Sequence, residues 1–582
     1  MKNYKKVYAA FILAGGLILH GCNGIFDDLA INPNQPSMGA YFTSPSAVND
    51  AVMTMYGYMS TQRCLGASGS KTTIIRSDEA SSNSDYGKPG MFGADLNASY
   101  YTIEQPYTLM YTTASQASYI IETAPSVDFS GNEELRNAYM GEAYFWRAFA
   151  HYYLLINFRN ISPIRQMPRN GDDYVRPLEK PAAVWDFIQE DLAHAKELLP
   201  VKGYWDSKNA GRVTKASAAA LLGKAYLYRS GIEQYYGEDK TTFYSEAAKE
   251  FADIIDGKYG TYDLTKNYAD NFDVAHENNE ESILEFQFLG DVDNAGFNPG
   301  LATSGLAFDS RGLMLPGAGV GYEGVVHNWL YNAFVNSIDK DGYTDIRMFS
   351  TMIFNDLDAS IHLRNDAGGN PVRLEGPGGY KWEELYPAKN GKEGFATMSN
   401  PLAHSFKAGI RKGIDCSMPT QTEADGTPKL VGVGAGVKEY VYNQPRAHGV
   451  NWRYIRYADV LMMYAESVVS GGTQASNMTP LQAVNKVRGR VNMSELPSVT
   501  MTDIQNERIL EFALEGHRFY DLLRWGKLAS RFTELQESDP NFKKFISADD
   551  FKGFVTNKHE WLPIPINEVN SNPYITENNP GY

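Results

Sequence analysis

Four stretches of this chain repeat one pattern: two amphipathic helices joined by a short break. That pattern restricts the fold more than any single motif does. The first pair reads as Glu133–Phe158 and Pro181–Leu199. Pro181 suits a first helical position, and Val184, Phe187, Ile188, Leu192, Ala195 and Leu198 keep a helical period. The second pair is Thr214–Arg229 and Phe243–Asp256; Thr214 is a cap, Gly231 a stop, and Ala216, Ala220, Gly223 and Ala225 allow close packing. The third is Arg453–Val469 and Thr479–Arg490, divided by Gly471-Gly472, and the fourth is Asp503–Glu515 and Arg518–Phe532. A further helix is expected over Ser44–Met59, capped by Ser44 or Ser46.

Each pair has about the span of one tetratricopeptide-type repeat, roughly 34 residues in the ideal case. None carries the full consensus and the spacing is irregular, so an ordinary helical bundle is the alternative to a divergent repeat array. Lys258–Asn451 is different: it is rich in Gly, Asn, Asp and Pro, with short apolar runs such as Ser282–Phe286. It reads as long loops with a few short strands and helices. A loop-rich insert on a helical scaffold is where binding function tends to sit.

The N-terminus reads as a secretory signal. Lys2, Lys5 and Lys6 precede the apolar run Val7–Leu19, and Leu19-His20-Gly21-Cys22 follows. The run is too short and wrongly flanked for a membrane span. Leucine three places before Cys22 and glycine one place before it suit a lipobox, which makes Cys22 the lipid acceptor; an ordinary signal peptide with a chance cysteine is the alternative. Asn23–Asp28 and Asn32–Pro36 read as a tether. The expected organisation is a signal peptide (1–21), an anchor and tether (22–40), an N-terminal part of the scaffold (41–257), a variable ligand-binding region (258–451) and a C-terminal part of the scaffold (452–582).

The formal charge is −16, and removing residues 1–21 takes away three lysines and no acids, leaving −19. That argues against a nucleic-acid partner, which needs a net basic face. Besides Cys22 only Cys64 and Cys416 remain, and the sequence leaves two options open, a disulfide or two small buried residues. Tyr is abundant at 38 residues; some must pack the core, and Tyr in excess also suits a surface that meets apolar faces edged with hydroxyls.

Catalytic signatures are missing from the sequence. His276-Glu277 and His559-Glu560 lack the second histidine of a zinc helix, and Gly66-Ala67-Ser68-Gly69-Ser70 is misspaced for a nucleophile elbow. Asp291–Asn294 and Asp339–Gly342 look like pieces of calcium loops without the closing glutamate, and read as loop aspartates; no cofactor is expected, and a structural calcium has no support. A carboxylate pair for glycoside hydrolysis stays open, because its spacing is spatial. The dense blocks Glu142–Tyr153, Arg456–Glu466 and Glu507–Lys527 carry Glu, Asp and Arg on apolar helices. Buried charge is costly unless paired, so these read as ion pairs that lock helices together.

Together, in this order and with the ending Leu562-Pro563-Ile564-Pro565 and Asn578–Tyr582, these blocks resemble the SusD/RagB-like family of Bacteroidetes outer-membrane nutrient-binding lipoproteins. Asp27-Asp28 after Cys22 also resembles the acidic export signal of surface lipoproteins in these bacteria. The resemblance implies a mostly α fold: four tetratricopeptide-like helix pairs form a scaffold with a loop-rich variable region packed on it. It implies a lipid-anchored protein at the cell surface that binds glycan and works as a hinged lid on a SusC-like TonB-dependent transporter, without catalysis. Binding of a non-carbohydrate nutrient such as a peptide, a surface glycoside hydrolase and an adhesive role are the alternatives. Carried over by region, from Arg76–Tyr101 and Phe297–Trp329, and joined by the aromatics near Trp382, the expected ligand residues are Trp329, Trp382, Tyr322, Tyr86, Arg76, Asp78 and Tyr380.

Overall fold

A computed structural model describes residues 42–61, 63–82, 96–169, 171–288, 324–376, 379, 381–388, 390–394, 406–413, 430–432, 438–440, 450–539 and 554–582. The first helix, α1 (Pro45–Met59), starts where expected, with the Ser44 side chain accepting a hydrogen bond from Ala47 N at 3.3 Å. A short strand β1 (Ala80–Ser82) follows. Then come α2 (Tyr101–Thr123), α3 (Glu133–Phe158), α4 (Pro181–Leu198), α5 (Lys215–Tyr236) and α6 (Tyr244–Ile255). Each packs on the next, so the scaffold is a continuous stack rather than isolated pairs. Trp146, Phe149, Tyr152 and Trp185 fill the seams of this stack and are fully buried.

In the N-terminal part of the scaffold two elements depart from the sequence reading. Helix α2 was not anticipated, because Pro106 lies inside it and threonines and serines weaken its propensity. Its packing against α1 and α3 overrides that local weakness. The second is α5, which runs through Gly231 to Tyr236 instead of stopping. Gly231 is a contact point: a Cβ there would lie 2.5 Å from the Arg524 carbonyl oxygen of a helix packed across it.

The chain leaves the scaffold through β2 (Ser282–Phe286) and, after the insert, returns through β8 (Trp452–Arg456), and these two strands pair antiparallel. The expected helix over Arg453–Val469 therefore begins only at Tyr457. Its first four residues, aromatic or β-branched around arginines, are buried on both faces of this ribbon. Between them lie β3 (Gly324–Val326), α7 (Asn328–Val335), α8 (Arg347–Thr351), β4 (Met352–Phe354), α9 (Trp382–Leu385), β5 (Ala408–Ile410) and the hairpin of β6 (Leu430–Gly432) and β7 (Lys438–Tyr440). An antiparallel sheet of order β1-β3-β5-β4 organises this part. Its edge strand β1 comes from far upstream.

The insert has its own apolar cluster, including Val326, Leu330, Phe334, Ile353, Phe354 and Trp382, closed by Ala513 and Leu514 from the C-terminal scaffold. That scaffold continues as α10 (Tyr457–Val469), α11 (Pro480–Arg490), α12 (Met501–Glu511), α13 (Arg518–Arg524), α14 (Leu528–Ser538) and α15 (Ile566–Ser571). Helix α10 packs on α6, so the stack resumes across the insert. The last expected pair breaks into three helices, because Leu514 at φ 61°, Gly516 at φ 89° and Gly526 at φ 63° interrupt it.

The charged blocks do lock helices. Arg147 on α3 holds Asp191 on α4 through two 2.7 Å bonds, and Arg524 on α13 holds Glu466 on α10 at 2.7 and 2.6 Å. Arg456 meets Glu281, Glu511 and Glu515, while Arg347 from the insert reaches Glu507 and Glu511. This buried network docks the insert onto the scaffold. Its contribution is geometric: removing one partner leaves an uncompensated buried charge, at a cost of about 3–5 kcal/mol. Among the described residues, no helix is long and apolar enough to cross a membrane.

Candidate functional site

The segment after α1 turns through residues 71–75 and then presents Arg76, Asp78 and Glu79 to the junction between scaffold and insert. All three are buried. Arg76 donates to Asn157 Oδ1 at 3.2 Å and to the carbonyls of His559 and Glu560 at 3.1 and 2.9 Å, and it lies 4.0 Å from the Phe519 ring centroid. Asp78 accepts from Arg518 Nε at 2.9 Å and Arg531 Nε at 2.7 Å. Burial alone would raise the Asp78 carboxyl, but the two guanidiniums hold it below its ordinary value. At Glu79 burial outweighs the pull of Arg518 and pushes the carboxyl up to about 8, while Leu514 N donates to it and Ser77 Oγ lies 3.2 Å from its Oε2. Neighbouring carboxyls with opposed shifts can mark an acid–base pair. These two are enclosed and engaged by protein, so they serve as structure.

Upon that base sits Trp329, near the start of α7. Its Nε1 donates to the Asp78 carbonyl, and the Arg531 guanidinium lies 4.3 Å from its ring centroid. The indole is partly exposed and held from behind. Beside it His327 Nε2 lies 2.5 Å from Ser81 Oγ, and the Phe406 ring stacks on the imidazole at 6.1 Å. Burial draws His327 down to about 4 against the pull of Asp78, so the imidazole is neutral at pH 7. The β1–β3 pair begins beside this platform, at Ala80 with Val326, and ends at Ser82 with Gly324.

The expected ligand residues therefore divide. Trp329 stands at the platform with a ring partly open to solvent. Arg76 and Asp78 are fully buried; Asp78 bonds the Trp329 indole through its carbonyl, whereas Arg76 is taken up by Asn157 and the His559 and Glu560 carbonyls. Trp382 is 6% exposed and packs on Tyr386 at 4.6 Å inside the insert core, because a separate loop-rich unit needs large side chains to fill its own centre. Tyr86, Tyr322 and Tyr380 lie outside the described residues, as do Cys22 and Cys416; Cys64 is a buried free thiol. Arg531 was not anticipated, since it reaches Asp78 across 453 positions of sequence and no local signal marks that. Among the described residues no group of three or more His, Cys, Asp or Glu could hold a metal. Asp339, one of the loop aspartates, accepts from Asp341 N and Tyr343 N and pairs with Arg364.

A helical stack bearing a docked, loop-rich insert defines a class of scaffold–insert proteins, and relatives identify which. Residues 421–582 match the model of the SusD family, and residues 31–227 match that of a family described as starch-binding associating with outer membrane. A SusD-like protein of Bacteroides ovatus is 25% identical over 90% of this chain and 83% of its own. SusD-like protein P2 of Formosa agariphila is 24% identical over the full length of both chains. A SusD superfamily structure from Bacteroides vulgatus superposes with a TM-score of 0.67 at 22% identity, covering 93% of this chain and 100% of that one. Surface glycan-binding protein A of Bacteroides thetaiotaomicron, in complex with laminarihexaose, superposes with a TM-score of 0.66 at 19% identity, covering 92% and 100%. The chain belongs to the SusD/RagB-like family.

Proposed function

We propose that this protein is a cell-surface lipoprotein that captures oligosaccharide or polysaccharide and delivers it to a SusC-like TonB-dependent transporter in the outer membrane. The observation that carries the reading is Trp329: a partly exposed indole made rigid by Asp78 and Arg531 at the Ala80–Val326 end of the β1–β3 pair. A sugar ring offers an apolar C–H face to such an indole and hydroxyls to the groups around it. SusD-like relatives with this fold include a laminarin-binding protein and surface glycan-binding proteins, and the family's members bind carbohydrate rather than transform it. Cys22 supplies the lipid anchor, and residues 22–40 the tether on which the scaffold swings.

Calorimetry of the mature protein against a panel of neutral glycans tests this. A ligand should bind without product release, and Trp329→Ala should weaken it about ten-fold, equivalent to about 1.4 kcal/mol. Binding of peptides with no binding of any glycan would replace the ligand class. Cys22→Ala should leave fold and ligand binding intact and abolish surface retention and uptake; normal uptake by that variant would remove the anchor from the mechanism.

A further inference from the structure

The scaffold holds a second opening, away from Trp329. A groove of about 780 Å³ lies between the end of α5, the starts of α6 and α12, and the ends of α10 and α13. That volume is within the roughly 300–1,000 Å³ usual for small-molecule sites. None of its lining residues belongs to the Trp329 platform; Arg518 and Trp525 mark opposite ends of α13, about 10 Å apart along a helix of that length.

The groove is built rather than incidental. On one lip stands Tyr235, 53% exposed, yet its ring is braced against the backbone of Gly526. A Cβ on Gly526 would lie 2.5 Å from the Tyr235 ring, and the φ of +63° there also favours glycine. The floor is electrically closed: the Glu466 carboxylate takes Arg524 through two bonds and Trp525 Nε1 at 2.9 Å. What remains available is neutral and hydrogen-bonding. Gln234 and Gln505 contribute amides, and Thr242, Ser470 and Thr502 contribute hydroxyls, while the Ser245 hydroxyl is taken by Thr473. The two rim charges, Glu246 and Lys527, oppose each other, and Lys527 already donates to Gln505 Oε1 at 2.7 Å.

We propose that this groove is a second binding site for neutral oligosaccharide, in which Tyr235 stacks on a sugar ring while Gln234, Gln505 and the hydroxyls take its rim. The chemistry selects that class. An anion would lack an unpaired cation on the floor, a cation would find Glu466 already neutralised, and a purely apolar ligand would strand the amides and hydroxyls. The inference rests on the glycan reading for its ligand class only; the geometry is its own.

The test uses the whole mature chain, with laminarihexaose, maltohexaose and cellohexaose as probes, read by calorimetry and hydrogen–deuterium exchange. For a probe that binds, slowed exchange is expected over residues 227–246 and 501–527. Tyr235→Ala and Gln505→Ala should each weaken the groove step about ten-fold while the step sensitive to Trp329→Ala persists. Both positions are on the surface, and unchanged circular dichroism excludes a folding defect. Affinity, stoichiometry and exchange that ignore both substitutions overturn the groove but leave the function standing. Failure of every probe to bind the unaltered protein overturns the glycan reading and, with it, the ligand assigned to the groove.

Discussion

Glu79 should make this protein less stable as the solution becomes more alkaline, and Glu79→Gln should abolish that loss. The carboxyl is buried between β1 and the turn at Leu514, and burial raises it from 4.5 to about 8. Between those values the native protein keeps a proton that the unfolded chain has released. The stabilisation is therefore complete below about pH 4.5, declines as pH rises through the window and is exhausted above about pH 8. At about 1.4 kcal/mol per pH unit the whole effect is about 5 kcal/mol, of which about 2–3 kcal/mol falls between about pH 6 and pH 9. Glutamine keeps the shape, accepts from Leu514 N through its carbonyl and donates to Ser77 Oγ, but cannot ionise. Denaturant midpoints of both proteins, followed by tryptophan fluorescence at several pH values, give the difference in unfolding free energy. The variant should gain about 2–3 kcal/mol on the wild type across that range. A difference that does not change with pH would refute the claim that Glu79 is protonated in the fold.

Three further outcomes follow from the same geometry. Asp78→Ala removes the buried carboxylate shared by Arg518 and Arg531, leaving Arg531 only the exposed Glu534, and should cost about 3–5 kcal/mol, read by thermal unfolding; an unchanged melting temperature would show that the pair is not buried. Acid should unfold the scaffold through its ion-pair network. Burial opposes ionisation, but Arg456 and Lys412 hold Glu515 down to about 2, and Arg508 and Arg524 hold Asp521 to about 2, so their stabilisation is present above about pH 4 and lost as pH falls toward about 2; far-ultraviolet circular dichroism that stays flat to about pH 2 would contradict this. Gly526→Ala should destabilise by about 1–2 kcal/mol through its positive φ and displace the Tyr235 ring, visible as faster hydrogen exchange around residues 231–237; unaltered exchange there would separate Gly526 from the groove wall.

The sequence by itself determined the helical scaffold where its signals are local. The apolar period of α4, the Ser44 cap of α1 and the reciprocal Thr479–Gln482 cap of α11 act within a turn or two, and the structure places those helices within a residue of their expected limits. The charged blocks were also readable as ion pairs, because apolar helices leave arginines and glutamates little else to do. Tertiary structure alone decided the rest. Packing against α1 and α3 makes α2 helical despite Pro106, and pairing with β2 turns Trp452–Arg456 into a strand. Trp329 and Trp382 looked alike in sequence, two tryptophans in loop-rich chain. Folding leaves one partly open above Asp78 and Arg531, and closes the other into the insert core. Helical period and capping depend on residues a few positions apart, whereas burial and charge pairing depend on which distant segments meet, as Asp78 and Arg531 do across 453 positions.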